Sequence, residues 1–472
     1  MLLITSESKT STGEMFGNRR RGNRDFKKGN MLHLLIIFLV SVPVLYYSVQ
    51  HAFIGRGSYF VGFIWSLYFP AAVIGTVGAF GASRYATPRF EGRVSKLVVF
   101  TIPSVGSMDV LPALSRVIQS ILTFAPLHLD RFRIDVVVDE GSEGIPTLLR
   151  TFGDSINLVT VPSGFRCRNG AKNKARALEY ARIVREREGL ARDDVFIYHL
   201  DDDTAVGADT IKSIAQFISE DDGVSYHLAQ GVLSFPYDLS KSWIARVADS
   251  IRPSDDLTRF HFFTGILGRP LAGLHGEHLL VRSSVENRIG WDFGVNRLED
   301  SYFGLVFSQL YPGKSKFLNS FVYGASPPTI YDFIKQRRRW YSGFLQLVFS
   351  NKLRPKVKIP MVLYTISYAV SPFQYAVIVV VASMLFGVQV VPDIPWLVPL
   401  WAFTMAYQLW MYLEGFRINR YVTKHMRIEW WYNALVIPLI YISGGVEAVA
   451  AAHAIADFVK KKDSFHVIRK PM

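Results

Sequence analysis

Val195-Phe196-Ile197-Tyr198-His199-Leu200-Asp201-Asp202-Asp203-Thr204 is an apolar run that ends on three carboxylates. A short β-branched and aromatic run bounded by polar residues predicts a buried strand over Val195–Leu200, with the acidic turn at its carboxyl end. Three runs upstream have the same character: Leu97–Ile102, Arg133–Val138 and Asn157–Val161. Between the last of these and Val195 lies Lys172–Arg187, where Ala177, Leu178, Ala181 and Val184 share one helical face. Strands alternating with helices predict an α/β fold with an open, mainly parallel sheet. Ligands of such sheets bind beyond the carboxyl ends of the strands. Chemistry is therefore sought first where each strand stops.

The flanks of this region differ in character. Half of the 472 residues are hydrophobic, with 34 Phe, 22 Tyr and 9 Trp, yet 53 Lys and Arg accompany 39 Asp and Glu. That is too apolar for an ordinary cytosolic enzyme and too charged for a pure transporter, so a soluble domain tied to membrane spans is expected. A helical span needs about 20 apolar residues. Met31–Val49 and Ser58–Phe80 meet that requirement and predict a hairpin over residues 31–92, preceded by a disordered basic cytosolic tail, 1–30. Basic residues before and after the hairpin place the following α/β domain, 93–326, in the cytosol. An amphipathic interfacial helix, 327–357, and a C-terminal transmembrane region, 358–472, complete the chain. Ile359–Pro392, Ile394–Leu413 and Trp430–Asp457 are apolar. Three full spans would leave Lys460–Lys462 outside the cytosol, so either the last segment is broken at Pro438, Gly444, Gly445 and Glu447, or Ile359–Pro392 hides a second crossing.

The net charge of +14 suits anionic headgroups or a phosphorylated substrate. Apolar spans argue against nucleic acid as the partner. A single cysteine, Cys167, excludes an internal disulfide framework and any cysteine-based zinc site.

Four stretches carry candidate chemistry. Asp201 and Asp203 alternate at a strand end, so both can aim into one crevice. Magnesium is commonly shared between one or two carboxylates and substrate phosphates, although a solvated acidic turn has the same sequence. Asp139 leaves a buried strand beside Gly141-Ser142 and can accept hydrogen bonds from a nucleoside, or merely stop the strand. Lys172 and Lys174 begin the next helix, where cations oppose the macrodipole unless an anion is near. Glu299-Asp300 opens another helical pattern; a carboxylate there caps the helix or serves as a general base. His275-Gly276-Glu277-His278 offers two histidines, read as buried or acceptor-contacting rather than as metal ligands. Finally, Thr329 and Asp332 have capping-box spacing ahead of a helix bearing Gln336-Arg337-Arg338-Arg339-Trp340. A basic amphipathic helix next to a span reads as interfacial, with two of the arginines facing lipid and the third turned inward with Trp340.

Taken in order, Asp139, Asp201-Asp202-Asp203, Glu299-Asp300 and Gln336–Trp340 resemble the motif series of inverting family 2 membrane glycosyltransferases, which include cellulose, hyaluronan and chitin synthases. The resemblance spans roughly Leu97–Val348. Ala325–Ile334, Glu299–Phe303 and the Gln336–Trp340 run are most similar to the egghead-type β-1,4-mannosyltransferases, which extend a glucosyl lipid using GDP-mannose. The resemblance implies a GT-A nucleotide-sugar fold and a magnesium or manganese ion. It implies that Asp139, assisted by Lys174, contacts the nucleoside, that Asp201 and Asp203 form the Asp-x-Asp pair, with Asp203 the direct ligand, and that Asp300 is the base. Gln336, Arg339 and Trp340 match Gln-x-x-Arg-Trp, which serves the donor pyrophosphate and the acceptor sugar; His275 and Glu299 are placed with Trp340 on the acceptor side. The expected partners are a nucleotide-sugar donor (GDP-mannose or a UDP-sugar), a glycolipid or glycan acceptor, and the lipid bilayer. Two positions depart from the pattern. Asp139-Glu140 replaces an aspartate pair, and Asn173-Lys174 replaces Gly-Lys.

Two rivals fit parts of this pattern. A processive polysaccharide synthase would use the same donor motifs, but few spans and the egghead likeness favour addition of one sugar. A nucleotide-binding transporter or receptor would carry its site on broken spans near the midplane, whereas the acidic motifs lie outside the spans.

Overall fold

The structure is a computed structural model describing residues 67–82, 88–220, 225–239, 242–295, 297–374, 397–423 and 430–460. The basic tail and the first predicted span, Met31–Val49, lie outside the described residues, as does the later part of Ile359–Pro392.

The described chain begins with helix α1 (Phe69–Ala82) and then alternates: β1 (Leu97–Pro103), α2 (Leu111–Phe124), β2 (Phe132–Asp139), α3 (Ile145–Phe152), β3 (Asn157–Val161), α4 (Asn173–Arg187) and β4 (Val195–His199). The four expected strands and the helix after β3 are thus observed within a residue or two of their predicted ends. Alternate side chains of these strands enter different layers, as the twofold period of a strand demands. Val98, Phe100, Ile102, Val136 and Tyr198 pack with α2 on one face. Val99, Val195 and Ile197 pack on the other face with Trp291 and Phe303. A sheet covered on both faces reads as near-continuous apolar sequence, which is why the strands were legible.

The second half is less regular: β5 (Ala205–Val206), α5 (Ala208–Glu220), β6 (Leu228–Ser234), α6 (Trp243–Asp249), α7 (Ile251–Asp255), a π-helical segment (Asp256–Ile266), β7 (Leu279–Arg282), α8 (Ser283–Ile289), α9 (Glu299–Leu310) and β8 (Ser315–Tyr323). The sheet order is β3-β2-β1-β4-β7-β6-β8-β5. β1 pairs in parallel with β2 and β4, β2 with β3, and β6 with β8, whereas β7 runs antiparallel to β4 and β6, and β5 antiparallel to β8. The sheet is therefore mixed, with its main direction set by six of the eight strands. One consequence decides the site. Because β7 enters where β4 leaves (Leu279 pairs with His199), the His275–His278 loop meets the Asp201–Asp203 turn at one edge.

The chain then leaves the sheet through α10 (Ile330–Val348), α11 (Pro355–Gln374), α12 (Leu397–Val422) and α13 (Trp430–Val459). The expected capping box opens α10: Thr329 accepts the Asp332 amide at 3.1 Å. α13 runs unbroken through Pro438, Gly444, Gly445 and Glu447, so of the two alternatives the break in the final segment is not observed. A proline inside an apolar helix is tolerated when neighbours satisfy the freed backbone. Among the described residues, Ile442–Val459 is the stretch long and apolar enough to cross a membrane by length and composition, and 44% of it is buried inside the protein.

Candidate active site

Beyond the carboxyl ends of β1, β2 and β4 opens a cavity of about 430 Å³. Ten residues singled out in the sequence line it: Asp139, Lys174, Asp201, Asp203, His275, Glu299, Asp300, Gln336, Arg339 and Trp340; Lys172 and His278 do not. They come from β2, α4, the β4 exit, the loop before β7, α9 and α10, elements that meet only in the folded chain.

At the centre stands Lys174. Its ammonium pairs with Asp201 and lies 3.9 Å from Glu299 Oε1. Burial disfavours its charge, but Asp201, Glu299, Asp300 and Glu277 outweigh burial and raise its pKa. Asp300 is affected in the opposite sense. Burial and the charge of Glu299 push its pKa up to about 7, with Lys174 opposing them. A buried carboxyl that titrates near neutrality has the properties of a proton acceptor in catalysis. Glu277 is raised well above the usual carboxylate range, chiefly by burial and next by Asp201. The backbone packs closely here: a Cβ on Gly276 would lie 2.3 Å from Lys174 Nζ and 3.1 Å from Asp300 Oδ2.

Backbone geometry marks the same cluster. Three non-glycine residues have positive φ among those described: Asn173 (53°), His278 (61°) and Leu298 (52°). Each is the immediate neighbour of a member of the cluster, namely Lys174, Glu277 or Glu299. Such conformations cost roughly 1–3 kcal/mol and persist where surrounding structure enforces them, commonly at functional sites. Asn tolerates this region better than most residues, so Asn173 fills a position where the family pattern has glycine.

Asp139 is held by Arg176, two residues past Lys174, which donates to Asp139 Oδ1 at 2.6 Å and to the Pro162 carbonyl at 2.7 Å. His275 lines the cavity with both ring nitrogens engaged, by Asp256 at 2.5 Å and by Arg252 at 3.3 Å. His278 is fully buried, bonded to the Tyr198 hydroxyl and the Ser320 carbonyl, and its burial lowers its pKa to about 3. The arginines also depart from the expected split. Arg337 is 2% exposed, Arg337 and Arg339 both line the cavity, and Arg338 pairs in two-pronged fashion with Asp457 of α13 at 2.5 and 2.6 Å. Only part of this was readable in the sequence. Glu277 stood inside a stretch noticed for its histidines, and Arg176 and Arg252 carried no local signal.

For a divalent cation, the donors at hand are the carboxylates of Asp201 and Asp203, while Asp202 accepts from Ser104 Oγ at 2.7 Å. Among the described residues no three His, Cys, Asp or Glu side chains are grouped to hold a metal alone. Two hard oxygen donors fit an ion that completes its shell with substrate phosphates and water.

Residues 196–416 match the family model for glycosyl transferase family group 2. The chain is 27% identical over 364 residues to the β-1,4-mannosyltransferase egh of Drosophila melanogaster, covering 75% of this chain and 74% of that protein. It is 24% identical over 388 residues to the β-1,4-mannosyltransferase bre-3 of Caenorhabditis elegans, covering 80% and 79%. Among solved structures, the mannosyltransferase PcManGT from Pyrobaculum calidifontis in complex with GDP-Man and Mn2+ aligns over 85% of this chain and 99% of that one, at 13% identity and a TM-score of 0.49.

Proposed function

We propose that the chain is a family 2 glycosyltransferase, as the match of residues 196–416 and its mannosyltransferase relatives support, and that it transfers mannose from GDP-mannose, with inversion, to a lipid-linked or glycan acceptor at the cytosolic face of a membrane. The observation that carries this reading is the convergence of Asp201, Asp203, Lys174, Glu299, Asp300, Gln336, Arg339 and Trp340 on one cavity. Relatives named β-1,4-mannosyltransferases support mannose and a β-1,4 product. Membrane attachment is supported by the apolar stretch Ile442–Val459 and by the further apolar runs of the sequence.

In this reading the sheet is a GT-A nucleotide-sugar fold. Asp139, held by Arg176, accepts hydrogen bonds from the nucleoside. Asp201 and Asp203 would hold a magnesium or manganese ion, which would supply positive charge against the departing diphosphate. Arg339 does the same from α10, and Gln336 fixes the donor's orientation. Glu299, His275 and Trp340 wall the acceptor side. Asp300 takes the proton from the acceptor hydroxyl as that oxygen attacks the anomeric carbon from the face opposite the diphosphate. Single displacement inverts the configuration and needs no glycosyl-enzyme intermediate.

The test is a screen of GDP- and UDP-sugars for hydrolysis and transfer by the full-length protein with Mg²⁺ or Mn²⁺. Consumption of GDP-mannose above all others is expected. Preference for a UDP-sugar would overturn the donor, and a long polymeric product would overturn single addition.

A further inference from the structure

Arg337, the residue directly after Gln336, lines the cavity and is 2% exposed. Its guanidinium donates to Gln336 Oε1 at 2.8 Å, to Glu447 Oε1 at 2.9 Å and to Asp249 Oδ1. The same guanidinium lies 4.2 Å from the centre of the Trp340 ring and 4.5 Å from that of Phe333. One side chain thus touches both ends of the Gln336–Trp340 run, with Asp249 of α6 and Glu447 of α13 as its anchors. A planar fork with five fixed N–H donors can hold three acceptors and lie over aromatic rings at once, whereas an ammonium offers three donors without a fixed plane.

We infer that Arg337 is a positioning residue that fixes Gln336 and Trp340 in the cavity, and that α13 takes part in the active site through Glu447. The inference rests on the proposed sugar transfer. Arg338 supplies the internal comparison. It also ties α10 to α13, through Asp457, but on a more exposed side and with no bond to Gln336 or Trp340 among those described. Docking of the two helices is therefore separable from control of the motif side chains.

The experiment compares Arg337→Lys, Glu447→Gln and Arg338→Lys in full-length protein in nanodiscs. Radiolabelled GDP-mannose is the donor and octyl glucoside the acceptor, with GDP-mannose affinity measured by calorimetry. Displacing catalytic groups by about 1 Å costs on the order of 100-fold. Arg337→Lys is expected to lose about that factor in kcat, while the thermal midpoint stays within a few degrees of wild type. Glu447→Gln is expected to fall in the same direction. The double variant should lose no more than the worse single one, because both act on one unit. Arg338→Lys should remain within about twofold in kcat. Wild-type kcat in Arg337→Lys, or an equal loss in Arg338→Lys, would overturn the positioning role and leave the sugar transfer standing. A wild-type protein that neither binds nor turns over GDP-mannose would overturn the transfer reading first.

Discussion

Lys174, at the start of α4, is ion-paired with Asp201, just past β4, and its ammonium stands between that carboxylate and Glu299, 3.9 Å away. Its charge opposes the mutual repulsion of the Asp201, Glu277, Glu299 and Asp300 carboxylates. Without it, Asp300 would lose the neighbour that opposes its raised pKa.

Lys174→Met should therefore shift the rising limb of the kcat/KM–pH profile to higher pH. The active form of a general base is ionised, and loss of a nearby positive charge disfavours ionisation. Rates measured between pH 5.5 and 9.5 check this, and an unshifted limb would remove Lys174 from the electrostatics of Asp300.

The wild-type enzyme should gain activity about tenfold per pH unit below 7 and level off above it, since Asp300 titrates near 7. The same shift bears on stability with the opposite sign. The folded state binds a proton that the unfolded chain, with a carboxyl pKa of about 4, has released. Stability from this group thus falls as pH rises from about 4 to about 7. Asp300→Asn should raise the thermal midpoint at pH 8 and have a smaller effect at pH 5, as scanning calorimetry can measure.

Asn173 occupies the left-handed region with φ 53°. Asn173→Gly should keep at least half of the activity, because glycine adopts this conformation freely. Asn173→Val should reduce kcat/KM at least about tenfold by rotating Lys174 away from Asp201, a β-branched residue being a poor fit at positive φ. Equal activity in the two variants would show that the backbone conformation is immaterial.

Arg176 braces Asp139 and the Pro162 carbonyl. Arg176→Ala is expected to raise the donor KM about tenfold and change kcat less than threefold, since in the proposed reading Asp139 contacts the nucleoside and takes no part in the proton transfer at Asp300. Steady-state kinetics over donor concentration separate the two parameters.

The sequence disclosed the parallel half of the fold because β1 to β4 are buried on both faces and leave unmixed apolar runs. The mixed half was harder to read. β5 has two residues and β7 four, too few for a period to register, and the π-helical segment follows no standard spacing. Candidate residues were legible where a strand end or helix start exposed them, as with Asp139, Asp201 and Asp300. Arg176, Glu277 and Arg252 acquire meaning only through partners distant in sequence. A break in α13 was left open for a related reason: Pro438, Gly444, Gly445 and Glu447 weaken an apolar span locally, whereas Glu447 is held by Arg337 across the helix interface.

The most direct test of the account is Asp300→Asn assayed side by side for GDP-mannose binding and for transfer. The substitution keeps the shape of the side chain and removes its ability to accept a proton. Donor affinity within about threefold of wild type, with transfer reduced by at least 10³-fold, is the predicted result, in keeping with the 10²–10⁴ range of positioned acid–base groups. Transfer at an undiminished rate would contradict the assignment of the proton acceptor and, with it, the chemistry placed in this cavity.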